Sequence, residues 1–500
     1  MSELDLSETG EAATPANIEP LWRGEAFLAG TKGRNARGGL PTAVTGISID
    51  TRTLEQGDAF FAIAGDRFDG HNFITAAIRA GASVLVVAQS KLAALGMHQL
   101  PIIVVPDVLK ALENLGRAAR ARSAAQIVAI TGSAGKTTTK EALKSVLEKF
   151  GETHASPASF NNHWGVPLTL ARMPKSSKFG VFEIGMNHPG EITPLVDMVQ
   201  PHVSVVTTIA AAHLGQFESL DAIAEAKAEI FTGLVSGGTA VINGDIAQTQ
   251  LLRTRAQEAK AGSILTFGQG SGNDTQLTDH TLTSGGSRFS ALVSGGAVDA
   301  NLRLPGRHQI QNMLALLTVV DLFGVDLPEA ARALGGIAPG KGRGETHRIE
   351  VTGGKATLID EAYNANPQAM EAMFEVMAAT KVDGTKSGDG GRRILVLGDM
   401  KELGDKSASL HAALAAPIMN AGIDLVFTGG AEMQHLHEAL PVDKRGAHAA
   451  DAQSLAPLVK KALQPGDVIA IKASNSMKFA SIVDALRGTP AKTVAGTKDS

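Results

Sequence analysis

The sequence predicts an α/β protein in three domains, and three observations carry that expectation. Short runs of β-branched and other apolar residues alternate with Ala- and Leu-rich stretches of helical period. The length of 500 residues holds about three domains at roughly 150 residues each. A glycine loop closing on Lys-Thr-Thr stands between one such run and one such helix, at residues 131–139.

The first domain is expected over residues 1–120, with the small, polar segment 1–16 disordered. Its strand signals are Ala59–Ala64, Ser83–Val87 and Ile102–Val105, separated by Ala-rich amphipathic stretches. The central domain, 121–338, opens on the buried-strand signal Ile127–Ile130. A helix follows with Leu143, Val146, Leu147 and Phe150 on one face. Further strands are expected at Val181–Ile184 and Val203–Ile209, hairpins over the Gly/Ser/Thr-rich stretch 262–305, and a helix over Gln309–Leu322. The third domain, 339–500, starts at Pro339-Gly340. Strand signals recur at Ala356–Ile359, Ile394–Leu397, Leu425–Thr428 and Val468–Ile471, the pattern of an open, Rossmann-like parallel sheet. It has no Gly-x-Gly-x-x-Gly fingerprint, which argues against dinucleotide redox chemistry. Lys381–Gly391 reads as a solvated loop, and there is no internal repeat.

Composition narrows the function class. Zero cysteines exclude disulfides, thiolate metal sites and a cysteine nucleophile. The 46 basic and 50 acidic residues give a net charge of −4, without the basic excess that nucleic acid binding requires. The N-terminus Met-Ser-Glu-Leu-Asp-Leu-Ser-Glu is unlike a secretory signal. No run approaches the about 18 apolar residues of a membrane span. A soluble, cytoplasmic protein without membrane insertion is expected. The 55 glycines exceed the usual share of about 7% and predict many tight loops.

The loop Gly132-Ser133-Ala134-Gly135-Lys136-Thr137-Thr138 has the chemistry of a phosphate cradle. Its glycines let backbone N–H groups approach phosphate oxygens, and the helix N-terminus favours negative charge. Lys136 can reach the β- and γ-phosphates, and Thr137 can offer its hydroxyl to Mg²⁺. The spacing Gly-x₂-Gly-Lys-Thr is shorter than the usual Gly-x₄-Gly-Lys-Thr. Glu183 ends an apolar run, where a carboxylate beside a phosphate loop holds Mg²⁺. His213 follows the Val203–Ile209 strand by a short turn; an isolated histidine is more often structural, but this one stands at the active edge of a parallel sheet. Over 219–231 a helix is expected whose apolar arc holds Leu220, Ile223, Ala224, Ile230 and Phe231. Lys227 falls within that arc, and two readings stay open. It snorkels to the rim, or it is a neutral amine that takes up CO₂ as a carbamate and bridges a second Mg²⁺.

The segments Gly132–Thr138, Asn161-Asn162-His163-Trp164-Gly165-Val166-Pro167, Phe182–Asn187, Ala226–Phe231 and Gly306-Arg307-His308 with Asn312 resemble the Mur ligases. Two further regions are similar to the dipeptide-adding branch of that family. One is Ser48–Arg52 followed by Gly57–Ala62 and Gly65–His71. The other is Asp360–Pro367 with Leu397–Gly404. The likeness spans about residues 44–480, with Glu361-Ala362 where Asp-Ser is frequent and Gln309 where Asn is frequent.

The resemblance implies a UDP-binding first domain, acting through Ser48, Asp50, Thr51 and Arg52 and through Arg67, Asp69 and His71. It implies a P-loop ATPase-like central domain that binds ATP and two Mg²⁺ ions. Thr137 and Glu183 would hold one ion, and His213 with carbamylated Lys227 the other, so that Lys136, Glu183, His213 and Lys227 form the catalytic set. Asn312 would approach the adenine, Arg343, Asp360, Tyr363 and Asn364 the nucleotide, and Asn161 and His163 the substrate or phosphate. The implied reaction joins UDP-MurNAc-tripeptide to D-alanyl-D-alanine through an acyl phosphate, in a monomer. The rivals are the ligase adding the third amino acid, folylpolyglutamate synthase, and a P-loop nucleotide switch that ligates nothing.

Overall fold

A computed structural model describes residues 20–65, 68–96, 99–211, 214–283, 285–382 and 390–488. The 1–16 tail, Arg67, His213 and most of the Lys381–Gly391 loop lie outside the described residues. The chain divides into two compact units, residues 1–122 with 170–175, and residues 123–169 with 176–500.

The first unit is built on a five-stranded sheet. Its strands lie in the order Arg34–Arg37, Ile102–Val105, Val84–Ala88, Asp58–Phe61, Gly46–Ser48. The first pair is antiparallel and the rest parallel. The three expected strands are its centre, and Ile102–Val105 and Val84–Val87 are buried throughout. The outer strands Arg34–Arg37 and Gly46–Ser48 were not foreseen. They lie at the sheet's two edges, where Arg-Asn-Ala-Arg and Gly-Ile-Ser need no apolar run. The return of 170–175 to this unit was also not foreseen. It is tied by Arg172 Nε donating to the Ile47 carbonyl at 2.6 Å and by Trp22 Nε1 donating to the Ala171 carbonyl at 2.9 Å. The Arg122 guanidinium stacks 3.4 Å over the Trp22 ring.

The second unit carries two sheets. The larger has nine strands, in the order Gly296–Leu302, Gly286–Val293, Thr275–Thr283, Ser263–Gly268, Thr239–Asn243, Val203–Val206, Gln126–Thr131, Phe179–Glu183, Thr153–Ala155. From Thr275 to the Thr153 edge all pairs are parallel, and the last two hairpins are antiparallel. The hairpin expectation for 262–305 therefore holds for its second half, while Ser263–Gly268 extends the parallel sheet. Helix Arg307–Leu322 buries Ile310, Met313, Leu314, Leu317 and Val320 against this sheet, in one core with Val128, Ile130, Leu143 and Val146.

The smaller sheet orders Glu345–Val351, Gly354–Glu361, Val468–Lys472, Arg393–Gly398, Leu425–Gly429, Arg445–Ala449. All pairs but the first are parallel. Apolar clusters cover both faces, with Leu395 and Phe374 on one and Val396 and Phe479 on the other. The four expected strands are its four inner ones. The polar edge strands Glu345–Val351 and Arg445–Ala449 were missed. Among the described residues no helix is long and apolar enough to cross a membrane.

Candidate active site

The phosphate loop leaves the strand Gln126–Thr131, which lies between Val203–Val206 and Phe179–Glu183. The carboxyl ends of three parallel strands thus converge on it, the place where open α/β sheets bind ligands. Two glycines are required by contact. A Cβ on Gly132 (φ 149°) would collide with Thr207 Oγ1, and one on Gly135 (φ 82°) with Asn312 Oδ1. Thr207 Oγ1 donates to the Ala134 carbonyl at 2.6 Å, and Ser133 N–H donates to the Thr208 carbonyl at 2.9 Å. The loop is held by its neighbour before any ligand arrives.

Helix Lys136–Leu147 starts on Gly135. Lys136 Nζ donates to the Gly132 carbonyl at 2.7 Å. Burial pushes its pKa down, and nearby Glu183 opposes that shift while Arg343 adds to it. Thr137 Oγ1 donates to Glu183 Oε2 at 2.8 Å and accepts from Arg343 at 3.2 Å. Glu183 is 1% exposed, and its other oxygen accepts from Asn161 Nδ2 at 2.7 Å. A hydroxyl and a buried carboxylate at a helix N-terminus are hard oxygen donors, which fit Mg²⁺.

Lys227 is 1% exposed, on helix Leu220–Ala228. Snorkelling is therefore excluded. Its pKa is held well below the usual lysine value by burial and then by Lys136. The expected arc holds at Ile223, Ala224, Ile230 and Phe231, all buried, but Leu220 at the helix start is 38% exposed. Glu229 faces another way, accepting from the N–H groups of Gly190, Ile192 and Thr193.

A cavity of about 440 Å³ lies beside the loop, lined by Ala134, Gly135, Thr138, Asn312, Arg343, Tyr363 and Asn364. Arg343 stacks 4.1 Å over the Tyr363 ring, and Tyr363 Oη is 2.8 Å from Ser159 Oγ. Ser133 does not line it. Its hydroxyl is turned inward, donating to the Ala210 carbonyl and accepting from the Ala210 N–H. Asp360 does not line it either. It is 2% exposed, accepts from the Ala362 N–H at 3.0 Å, and has a pKa raised first by burial. Ligand atoms of Asp360, Glu345 and His347 lie within 4.8 Å of one another. Glu361, the next residue, does face the cavity and pairs with Lys472 at 3.0 Å. Asn161 serves Glu183, while His163 is exposed with its ring edge-on to Trp164.

Asn243, Asp245 and Ile246 also line the cavity, and the sequence reading missed them. They end or follow the strand Thr239–Asn243. Had Ala-Val-Ile been read as a strand, the carboxyl-end rule would have marked the Asn-Gly-Asp-Ile turn as a site.

The first unit's expected site residues form two turns. Ser48 is buried and bonds within its own turn, donating to the Asp50 carbonyl at 3.0 Å. Arg52 grips Asp50 at 3.0 and 2.6 Å, which holds the Asp50 carboxyl below its usual range. Thr51 is half-exposed between them. His71 is turned inward: Nε2 accepts from the Ala88 N–H at 3.0 Å, so Nδ1 carries the proton towards Asp69 at 2.5 Å. Asp69 also pairs with Lys91 at 2.9 Å, which, with the His71 bonds, drives its pKa far down. These contacts fix the shape of the two turns. Asp69→Asn is expected to cost about 1–3 kcal/mol in urea unfolding at neutral pH. A lowered carboxyl pKa adds stability above about pH 4 and loses it below, so wild type and variant should converge in acid. Equal stability at pH 7 would sink this assignment.

Comparison with known proteins agrees with this geometry. Residues 43–122 match the catalytic domain of the Mur ligase family, 130–320 the Mur ligase middle domain and 347–475 the Mur ligase glutamate ligase domain. The UDP-N-acetylmuramoyl-tripeptide–D-alanyl-D-alanine ligase of Bacillus subtilis is 33% identical over 458 residues, covering 90% of this chain and 94% of the relative. A crystal structure of MurF from Acinetobacter baumannii superposes with a TM-score of 0.81 at 29% identity, covering 95% of this chain and 100% of that one. MurF from Thermotoga maritima in complex with ADP gives 0.73 at 26%, covering 89% and 97%. With its phosphate loop, buried carboxylate and buried lysine on that shared three-domain architecture, the chain belongs to the Mur ligase family.

Proposed function

We propose that the protein is an ATP-dependent ligase that joins D-alanyl-D-alanine to UDP-MurNAc-tripeptide, giving UDP-MurNAc-pentapeptide, ADP and phosphate for peptidoglycan synthesis. One observation carries the catalytic part. Arg343, next to the smaller sheet, donates to Thr137 on the phosphate loop and lines the cavity together with Ala134, Gly135 and Thr138 of that loop, so a guanidinium from outside the loop stands where the phosphates would lie. The likeness to relatives named for this reaction carries the substrate part.

A carboxylate is a poor acyl donor because oxide is a poor leaving group. An oxygen of the tripeptide carboxylate attacks the γ-phosphorus of ATP, ADP leaves, and an acyl phosphate forms. The D-alanyl-D-alanine amine attacks the acyl carbon, loses a proton, and phosphate departs with the bonding electrons. The enzyme's part is alignment and charge neutralisation. Lys136 and Arg343 face the transferred phosphoryl group. Gly132–Thr138 cradles the ATP phosphates, and Asn312, Tyr363 and Asn364 frame the rest of the nucleotide. Thr137 and Glu183 would hold a magnesium ion, whose charge offsets that of the phosphates. Lys227 fits a second ion only as a carbamate, since an ammonium repels one; its suppressed charge favours the neutral amine that CO₂ requires. His213 would complete that second site. The first unit would take the UDP end at Ser48–Arg52 and 67–71. The working enzyme is a cytoplasmic monomer.

The test is phosphate release from ATP and Mg²⁺, with the two co-substrates added singly and together. Release only with both, and the pentapeptide mass in the product, is the expected result. A folded, ATP-binding protein that releases nothing with both present would overturn the substrate assignment.

A further inference from the structure

We propose that Lys140, through the loop 156–161, is a positioning residue that sets the Glu183 carboxylate and the Tyr363 hydroxyl together. The inference rests on the magnesium- and ATP-dependent reading above.

Lys140 stands one helical turn after Lys136 and is 0% exposed. A lysine without access to water needs its charge satisfied on the spot. Its ammonium donates to the carbonyls of Ser156 at 2.7 Å and Ala158 at 2.5 Å, and pairs with Glu141 at 2.7 Å. Between and beyond those carbonyls the chain makes a tight reversal. Ala158 sits in the left-handed region at φ 46°, which a residue with a Cβ rarely adopts unaided. An ammonium bound to its carbonyl helps to hold it there.

What the loop holds explains the expense of burying a cation. Ser156 Oγ accepts from the Glu183 N–H at 3.3 Å, and Asn161 Nδ2 donates to the Glu183 side chain at 2.7 Å. The Asn161 carbonyl takes the Gly185 N–H at 2.9 Å. Glu183 is therefore bracketed by both ends of the loop. Between them, Ser159 Oγ meets Tyr363 Oη at 2.8 Å. Loss of the ammonium would free Ala158 and move both contacts at once. A lysine that merely fills space would not couple them.

Tyr363 is the only tyrosine in the chain, so 3-fluorotyrosine labelling gives one ¹⁹F resonance from this junction. Lys140→Met is expected to shift that resonance to the position found in Ser159→Ala. It should also raise the Mg²⁺ concentration for half-maximal ATP turnover by about 10- to 100-fold, as loss of a group supporting a metal ligand does, with KM for UDP-MurNAc-tripeptide unchanged. If Lys140→Met does not fold, Lys140→Gln, which can still donate to one carbonyl, takes its place with a smaller shift in both readouts. A folded variant with the wild-type resonance and the wild-type Mg²⁺ requirement would overturn the proposal, whatever its thermal stability. A wild-type enzyme with no ATP turnover would instead sink the ligase reading, and the ¹⁹F comparison would still decide the role of Lys140 in setting Tyr363.

Discussion

Glu183→Gln is expected to lower magnesium-dependent ATP turnover by about 10²- to 10³-fold while leaving the fold intact. The amide keeps the volume of the carboxylate, and its oxygen can still accept from Thr137, now 2.8 Å away. What is lost is the negative charge, and two effects follow from that loss. The oxygen pair that suits Mg²⁺ becomes a weaker, neutral donor set. Lys136 also loses the group that keeps its pKa up. The burial of Lys136 and the nearness of Arg343 then push it further towards the neutral amine. A charged Lys136 is what opposes the phosphate charge, so both effects act against the same step. Initial rates measured against Mg²⁺ concentration check this, with urea unfolding as the control. Wild-type rates at every Mg²⁺ concentration would remove Glu183 from the site.

Lys227→Met is expected to separate stability from activity in opposite directions. In the folded protein burial and Lys136 depress the Lys227 pKa, and no acidic neighbour among the described residues offsets this. The unfolded chain then binds a proton that the folded chain does not, from the depressed value up to the usual lysine value near 10.4. Stability contributed by this site therefore rises with pH across that window. Methionine removes the penalty, so the variant should be more stable by about 1–3 kcal/mol at neutral pH, with a flatter pH dependence. Activity should nonetheless fall by about 10²-fold or more, since methionine cannot carry a carbamate. Lys227→Ala leaves room for a small carboxylate, and partial recovery with added acetate or formate would identify the missing group as an anion. Denaturation at several pH values and turnover with and without those anions supply the readouts. A variant destabilised at pH 7 would exclude the penalty of a buried amine, and one as active as wild type would exclude the carbamate.

The helical period placed Lys227 on the apolar arc, and the residue is indeed buried with Ile223 and Ile230. The apolar run ending at Glu183 put that carboxylate at the carboxyl end of a strand, where it meets Thr137. Both inferences needed only neighbours in sequence. The residues that were missed share another property. Asn243 and Asp245 reach the cavity because their strand pairs with Val203–Val206, next to the phosphate-loop strand. Nothing in Asn-Gly-Asp-Ile itself announces that neighbour. His71 offered the opposite lesson. It stands in a motif that resembles a substrate loop, yet its ring is spent on the Ala88 N–H and Asp69.

The sequence by itself determined the alternation of strands and helices, the phosphate loop and the places of the candidate site residues Lys136, Thr137, Glu183 and Lys227 on them. Backbone geometry and burial periodicity are local, and they are written in adjacent residues. Only the tertiary structure decided which partners several of the side chains meet. It turned Ser133 and His71 inward, exchanged Asp360 for Glu361 at the cavity, returned 170–175 to the first unit, and set Lys140 beneath the loop that holds Glu183. Those outcomes depend on hydrogen bonds and packing between residues far apart in the chain. Their partners are chosen by the folded sheets, not by the residues beside them.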